Sequence, residues 1–171
     1  MWRVLDNTVL SNFSAVKLPE IVLRLWPAEV CTTPGVLQEY QEAVLTRNYA
    51  PDHWAKLPVL ELTAAENEYA FTLPDPLGKG ERECIAVAVF RQATFASDDA
   101  QARAVARSRG ITLSGTLGIL VACPSFGILT FAQANTLLKK MIAAGYRSPV
   151  DDLTKLLLTR QEVEASLEKG D

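Results

Sequence analysis

The chain has 171 residues, 49% of them hydrophobic and 22% charged. That is the make-up of one folded domain, which buries roughly two thirds of its unfolded surface and needs no disulfide framework. A formal net charge of −3 argues against holding nucleic acid by bulk positive charge, and Cys31, Cys84 and Cys123, widely spaced with no C-x-x-C pair, argue against a zinc site and read as reduced thiols of a cytosolic protein.

Met1-Trp2-Arg3-Val4-Leu5-Asp6 lacks the apolar region of a signal peptide. No apolar run reaches the ~18 residues of a membrane span; the run from Gly118 to Ala122 stops at Cys123-Pro124. A cytoplasmic protein without membrane association is expected.

Val4-Leu5 followed by Asp6-Asn7-Thr8 reads as a strand and turn, with Thr8 capping a helix that carries Val9, Leu10 and Phe13. Pro19 to Trp26 is expected to be a short helix and Glu29 to Thr32 a short strand. Thr33-Pro34 opens a helix with Val36, Leu37, Tyr40, Ala43 and Val44 on its apolar face. Val59 to Leu62 is a strand candidate. Thr63, with Glu66 three positions on, predicts a capping box for a helix through Phe71. Pro74, Pro76, Gly78 and Gly80 mark a loop before a helix from Glu81 to Gln92. Thr94 to Ser97 reads as a strand ending in Asp98-Asp99, Ala100 to Arg109 as a helix stopped by Gly110, and Ile111 to Leu113 as a strand. Ser114-Gly115-Thr116 then caps another helix. Phe131 to Ala144 and Asp151 to Leu158 complete the helices, and the charged tail after Gln161 reads as a frayed helix. Strands alternating with helices predict a parallel sheet covered by helices. His53, the sole histidine, lies in the turn-like Ala50-Pro51-Asp52-His53-Trp54, where a loop role is favoured over catalysis.

Sites in open α/β sheets form beyond the carboxyl ends of strands, where Asp6 and Asp98-Asp99 fall. Metal-assisted phosphodiester hydrolysis needs several carboxylates as hard ligands for Mg²⁺ or Mn²⁺. A net negative chain is compatible with it, because a bound cation reverses the local charge. Each candidate also has a simpler reading. Asp6 can be a turn or cap residue, Glu39 a solvated helix charge bordering the apolar face, and Glu81 an acid favoured by a helix dipole. One of Asp98 and Asp99 can be an N-cap. Glu83 stands about 200° around a helix from Glu81, so the two cannot both face one site unless the helix starts between them.

Val4-Leu5-Asp6-Asn7-Thr8-Val9-Leu10 resembles the opening strand and first acid of PIN domains. Pro34-Gly35-Val36-Leu37-Gln38-Glu39-Tyr40 is similar to the family's second acidic motif, and Gly80-Glu81-Arg82-Glu83-Cys84-Ile85-Ala86-Val87-Ala88 to the third. Ser97-Asp98-Asp99-Ala100-Gln101-Ala102-Arg103-Ala104-Val105-Ala106 resembles the fourth. Gly110-Ile111-Thr112-Leu113-Ser114-Gly115-Thr116-Leu117-Gly118 is similar to a Gly-Thr-Leu-Gly turn that closes the sheet in one prokaryotic, VapC-like subgroup. The resemblance spans roughly residues 1 to 150.

It implies an α/β protein with a three-layer α/β/α fold and a short central parallel sheet. Residues 1–150 would form the nuclease domain and 151–171 a C-terminal helical extension. It further implies a Mg²⁺- or Mn²⁺-dependent endoribonuclease acting on RNA as the toxin of a toxin–antitoxin pair. Metal would be bound by Asp6, Glu39, Glu81 and Asp98 or Asp99, with Thr8 and Glu83 behind them. Asn7 departs from the small hydroxyl residue common at its place, and the stretch from Asn48 to Lys79 is a long insertion. A non-catalytic PIN-like module that binds protein or RNA is the alternative, motivated by the acidic composition. Arg103 and Arg107, which share a helix face, and Lys139 and Lys140 are candidates for RNA contact. The resemblance suggests homodimers, and the apolar helices from Thr116 to Ala122 and Phe131 to Ala144 exceed what a small sheet needs to cover one face.

Overall fold

In a computed structural model, residues 1–157 are described. The elements run β1 (Arg3–Leu5), α1 (Asn7–Ala15), α2 (Glu20–Leu25), β2 (Val30–Cys31), α3 (Pro34–Arg47), α4 (Ala64–Phe71) and α5 (Lys79–Arg91). There follow β3 (Thr94–Ala96), α6 (Ala100–Ser108), β4 (Leu113–Ser114), α7 (Thr116–Ala122) and α8 (Phe131–Ala143). The strands form one parallel sheet in the order β2-β1-β3-β4, flanked by helices in a three-layer α/β/α arrangement. Strands covered on both faces are apolar throughout rather than alternating, and Val4, Leu5, Val30, Cys31, Phe95 and Ala96 are all buried.

The helices start where their caps dictate. The Thr33 hydroxyl accepts from Val36 N, and Pro34 takes the first turn of α3. Thr63 and Glu66 form the expected capping box of α4. Glu66 is 1% exposed and accepts from Arg91 Nε at 2.6 Å and Nη2 at 2.7 Å, which ties α4 to the end of α5. The wide apolar face of α5, Cys84 through Ala88, is buried and packs on β1 and β3. All three cysteines are free and buried.

Several expectations need correction. Asp6, not Thr8, is the N-cap of α1, because the helix already begins at Asn7. The candidate strand at Val59 to Leu62 is only a bridge, Thr32 to Val59, at the sheet edge; Pro58, with no N–H, can offer β2 only its carbonyl. The strand predicted at Ile111 to Leu113 is Leu113–Ser114 instead. Helix α5 starts two residues before Glu81. Of the helix expected from Asp151 to Leu158, residues 154–157 are helical, whereas Leu158 and the tail after Gln161 lie outside the described residues. The apolar residues Ala134, Leu137, Leu138 and Met141 of α8 are buried within the chain, and α8 packs on α7 and α1. That surface is therefore consumed internally. Among the described residues no helix is long and apolar enough to cross a membrane.

Candidate acidic site

In the order β2-β1-β3-β4 the chain moves to one side after β1 and to the other after β3. Such a reversal opens a crevice at the carboxyl ends of the two central strands. Leu5 pairs with Ala96 in register, so Asp6 and Ser97 leave adjacent strand ends together. Asp6 N donates to Ala96 O at 2.9 Å. The Asp6 carboxylate is 1% exposed. Its Oδ2 accepts from Ser97 Oγ at 2.8 Å and from Thr8 Oγ1 at 2.9 Å. Its Oδ1 is buried and has no partner among the described residues. Burial pushes the Asp6 carboxyl above the usual carboxylate range, against the hydrogen bonds from Ser97 and Thr8.

Glu39 and Glu81 stand at the crossing of α3 and α5. Glu39 Oε1 accepts from Gly80 N at 2.9 Å, and Glu81 Oε2 accepts from Gly78 N at 2.9 Å. A Cβ on Gly80 would lie 2.7 Å from Val36 Cγ2 and 2.9 Å from Val36 N; only glycine lets the start of α5 come this close to α3. Burial raises the Glu39 carboxyl, and the Asp6 charge adds to the rise. Glu81 is pushed up to about 7, first by burial and further by the charges of Asp6, Asp99 and Glu39. These three carboxylates therefore feel one another, and Asp99 joins them through Glu81.

Glu83 faces elsewhere. It is buried, and its Oε2 accepts from Gly35 N at 2.7 Å while Lys79 Nζ lies 3.9 Å from its Oε1. The helix starts before both Glu81 and Glu83, so the rotation between them sends Glu83 to the beginning of α3. The two helices exchange carboxylates: α5 lends Glu83 to the first turn of α3, and α3 lends Glu39 to the first turn of α5.

Asp98 and Asp99 diverge as well. Asp98 Oδ1 accepts from Thr116 N at 3.0 Å and Tyr146 OH at 3.3 Å, and Oδ2 from Thr116 Oγ1 at 2.5 Å and Asn12 Nδ2 at 3.0 Å. Those donors fill the acceptor sites of a carboxylate. Gly115 permits the approach, since a Cβ there would sit 2.7 Å from Asp98 Oδ1. Asp99 caps α6 with Oδ1 alone, accepting from Gln101 N at 2.9 Å and Ala102 N at 2.8 Å. Its Oδ2 makes no hydrogen bond among the described residues.

Thr8 lies behind the acids: its hydroxyl donates to Asp6 and accepts from Asp98 N at 3.0 Å. Arg103 turns inward, with Nη1 donating to Ser97 O at 2.7 Å and to Ser114 O, so it buttresses the ends of β3 and β4. Arg107, Lys139 and Lys140 are exposed on α6 and α8. Sequence reasoning missed Ser97, Asn12, Thr116 and Tyr146. Ser97 carried a signal, since it is the polar residue that ends the same strand as Asp98.

Among the described residues no group of three or more His, Cys, Asp or Glu side chains is drawn close enough to hold a metal ion as it stands. The donor chemistry nevertheless suits a hard divalent cation: carboxylate oxygens only, one of them buried and orphaned, on groups whose mutual repulsion a cation would relieve.

Fold and site together define an α/β protein with an acidic crevice at the switch point of a parallel sheet. The chain belongs to the PIN-domain family, whose model matches residues 2–162. PIN domains are generally nucleases, and membership supports a nuclease role. No curated protein and no solved structure matches the chain.

Proposed function

We propose that this protein is a metal-dependent endoribonuclease in which Asp6, Glu39, Glu81 and Asp99 hold Mg²⁺ or Mn²⁺. The observation that carries the reading is the orphaned Asp6 Oδ1, buried beside carboxylates that raise one another's proton affinity. An unpaired buried acceptor costs about 1–3 kcal/mol, and a cation is the partner that would satisfy it. When bound, a divalent ion there supplies Lewis acidity toward a phosphodiester and stabilises charge on its oxygens. The chain's own residues do the positioning. Ser97 and Thr8 fix Asp6, the Gly78 and Gly80 N–H groups fix Glu81 and Glu39, and the first turn of α6 fixes Asp99. Asp98 belongs to the frame of the site rather than to its ligands.

The test is Mn²⁺-dependent RNA cleavage by Asp6→Asn, with circular dichroism as the fold check. The variant is expected to stay folded, lose cleavage and lose Mn²⁺ binding in calorimetry; cleavage by a clean Asp6→Asn preparation removes this mechanism. The separation of the carboxylates favours a second reading, a PIN-like module that binds RNA or protein without cutting. Wild-type protein that takes up no Mn²⁺ at millimolar concentration decides for the module.

The role of a VapC-like toxin with an antitoxin partner, the homodimer, and the division into a nuclease domain (1–150) and a C-terminal extension (151–171) are supported by resemblance alone, and a cytoplasmic location by the free, buried thiols. Growth arrest by expressed wild type but not Asp6→Asn tests the first, and sedimentation the second.

A further inference from the structure

Two cavities adjoin the acidic crevice. One, of about 250 Å³, begins at Thr8 and Asp99 and is lined by the amides of Asn7 and Asn12, with Arg47 and Arg147 among its lining residues. The other, of about 290 Å³, is walled by Leu113, Leu117 and Pro149 and also touches Arg103 and Arg147. Asp98, Tyr146 and Arg147 line both, so these three residues form the partition between them and Tyr146 is its aromatic member. The Tyr146 hydroxyl is tied to Asp98 Oδ1, and Asp98 is anchored in turn by Thr116 and Asn12. The partition is thus set before anything binds.

The chemistry of the pair is that of a strand with separated bases. Each cavity is too small for a stacked duplex end and about the size of one nucleotide, a little below the ~300 Å³ at which ordinary small-ligand sites begin. The first offers the Asn7 and Asn12 amides to base edges, the second combines Leu113, Leu117 and Pro149 with the polar groups of Ser114, Arg103 and Arg147, and the boundary they share includes an aromatic ring. Unpaired bases are recognised by being splayed out, stacked on aromatic side chains and hydrogen-bonded along their edges. Arg47 and Arg147 are exposed and form no ion pair among the described residues, so both remain available to phosphate oxygens.

Resting on the nuclease reading above, we propose that Tyr146 is a wedge between two consecutive nucleotide slots for single-stranded RNA, with Arg147 holding the phosphate that joins them and the first slot leading to the acids.

The experiment is equilibrium binding of a short single-stranded RNA and of its duplex to the 171-residue chain, in EDTA so that no metal-assisted cleavage intervenes. Wild type is expected to prefer the single strand. Tyr146→Leu should weaken single-strand binding about five- to hundredfold, as expected for loss of one stacking platform. Tyr146→Phe, which keeps the ring, should recover most of that loss. Arg147→Ala, at an exposed position where folding is not at issue, should weaken binding and reduce the slope of log affinity against log salt by about one. Equal affinity for strand and duplex overturns the proposal, as does wild-type affinity in both Tyr146→Leu and Arg147→Ala. In either case cleavage of RNA by wild type leaves the nuclease reading standing; if wild type neither binds nor cleaves RNA, both fall.

Discussion

Replacing Glu81 by glutamine separates the electrostatics of the site from its architecture. The Glu81 carboxyl titrates at about 7 instead of its ordinary 4.5, because burial and the charges of Asp6, Asp99 and Glu39 oppose ionisation. Between those two pH values the folded chain retains a proton that the unfolded chain has released, so stability falls as pH rises through the window and stays low above it. At about 1.36 kcal/mol per pKa unit the shift sets a ceiling of about 3 kcal/mol. Partial exposure and salt reduce that to about 1–2 kcal/mol, or about 2–8 °C in Tm for a domain of this size. Glutamine keeps an acceptor for Gly78 N, so the first turn of α5 is retained. Thermal unfolding in EDTA should show wild type losing Tm from pH 5 to pH 8, with Glu81→Gln losing less, because only the raised Asp6 and Glu39 carboxyls remain, and the more stable of the two at pH 8. Added Mn²⁺ should reverse the order, because the cation stabilises wild type through a carboxylate the variant lacks. Parallel pH profiles, or a variant less stable than wild type at pH 8 in EDTA, would refute the account of Glu81 as a carboxylate under repulsion.

Other consequences follow from the same contacts. Glu66→Ala should cost about 1–3 kcal/mol in urea unfolding, since it removes the charge-assisted hydrogen bonds to a partly exposed Arg91 guanidinium together with half of the capping box of α4. Hydrogen bonding to Arg91 holds the Glu66 carboxyl down at about 2, so its stabilisation is complete above pH 4.5 and lost as pH falls toward 2, and the variant should show a shallower acid transition in that range. Gly35→Ala puts a Cβ 2.8 Å from Glu83 Cδ and Oε2, a buried clash expected to cost about 1–3 kcal/mol and readable as a lower urea midpoint. Asp99→Asn should weaken Mn²⁺ binding in calorimetry at least tenfold, whereas Asp98→Asn should leave the metal affinity within about threefold and instead lower thermal stability; the opposite pattern exchanges their roles.

Legibility in the sequence followed the range of the interactions. Strand β1, the Thr33-Pro34 start of α3 and the Thr63–Glu66 capping box are written in a few adjacent residues, and each appears where local chemistry puts it. Asp6 was visible as an acid at a strand end, but its capping role was given to Thr8, which instead holds the Asp6 side chain. The start of α5 was misread because Gly78-Lys79-Gly80 looks like loop punctuation. Those glycines are there for space: Val36 and Glu39 press against the first turn, a tertiary demand that local propensity does not carry. Asn12 and Tyr146 were missed for a related reason. Their partners lie 86 and 48 residues away, and a lone polar residue gives no hint of so distant a contact.

The neighbouring Asp98 and Asp99 show why the choice between them needed coordinates. At the end of a strand, successive side chains leave on opposite sides, so two adjacent acids cannot serve one centre equally. Here the alternation divides them between two tasks. Asp98 turns to Asn12, Thr116 and Tyr146 and is fully satisfied by them, which makes it a brace joining α1, α7 and the segment after α8. Asp99 keeps one oxygen on the first turn of α6 and leaves the other unbonded among the described residues, and its charge is felt by Glu81. A carboxylate that already accepts four hydrogen bonds would have to break some of them to bind a cation, whereas one with an uncommitted oxygen need not. That difference in spare coordination, rather than proximity to the strand end, favours Asp99 over Asp98 as a ligand of the proposed metal site and leaves Asp98 to shape the neighbouring groove.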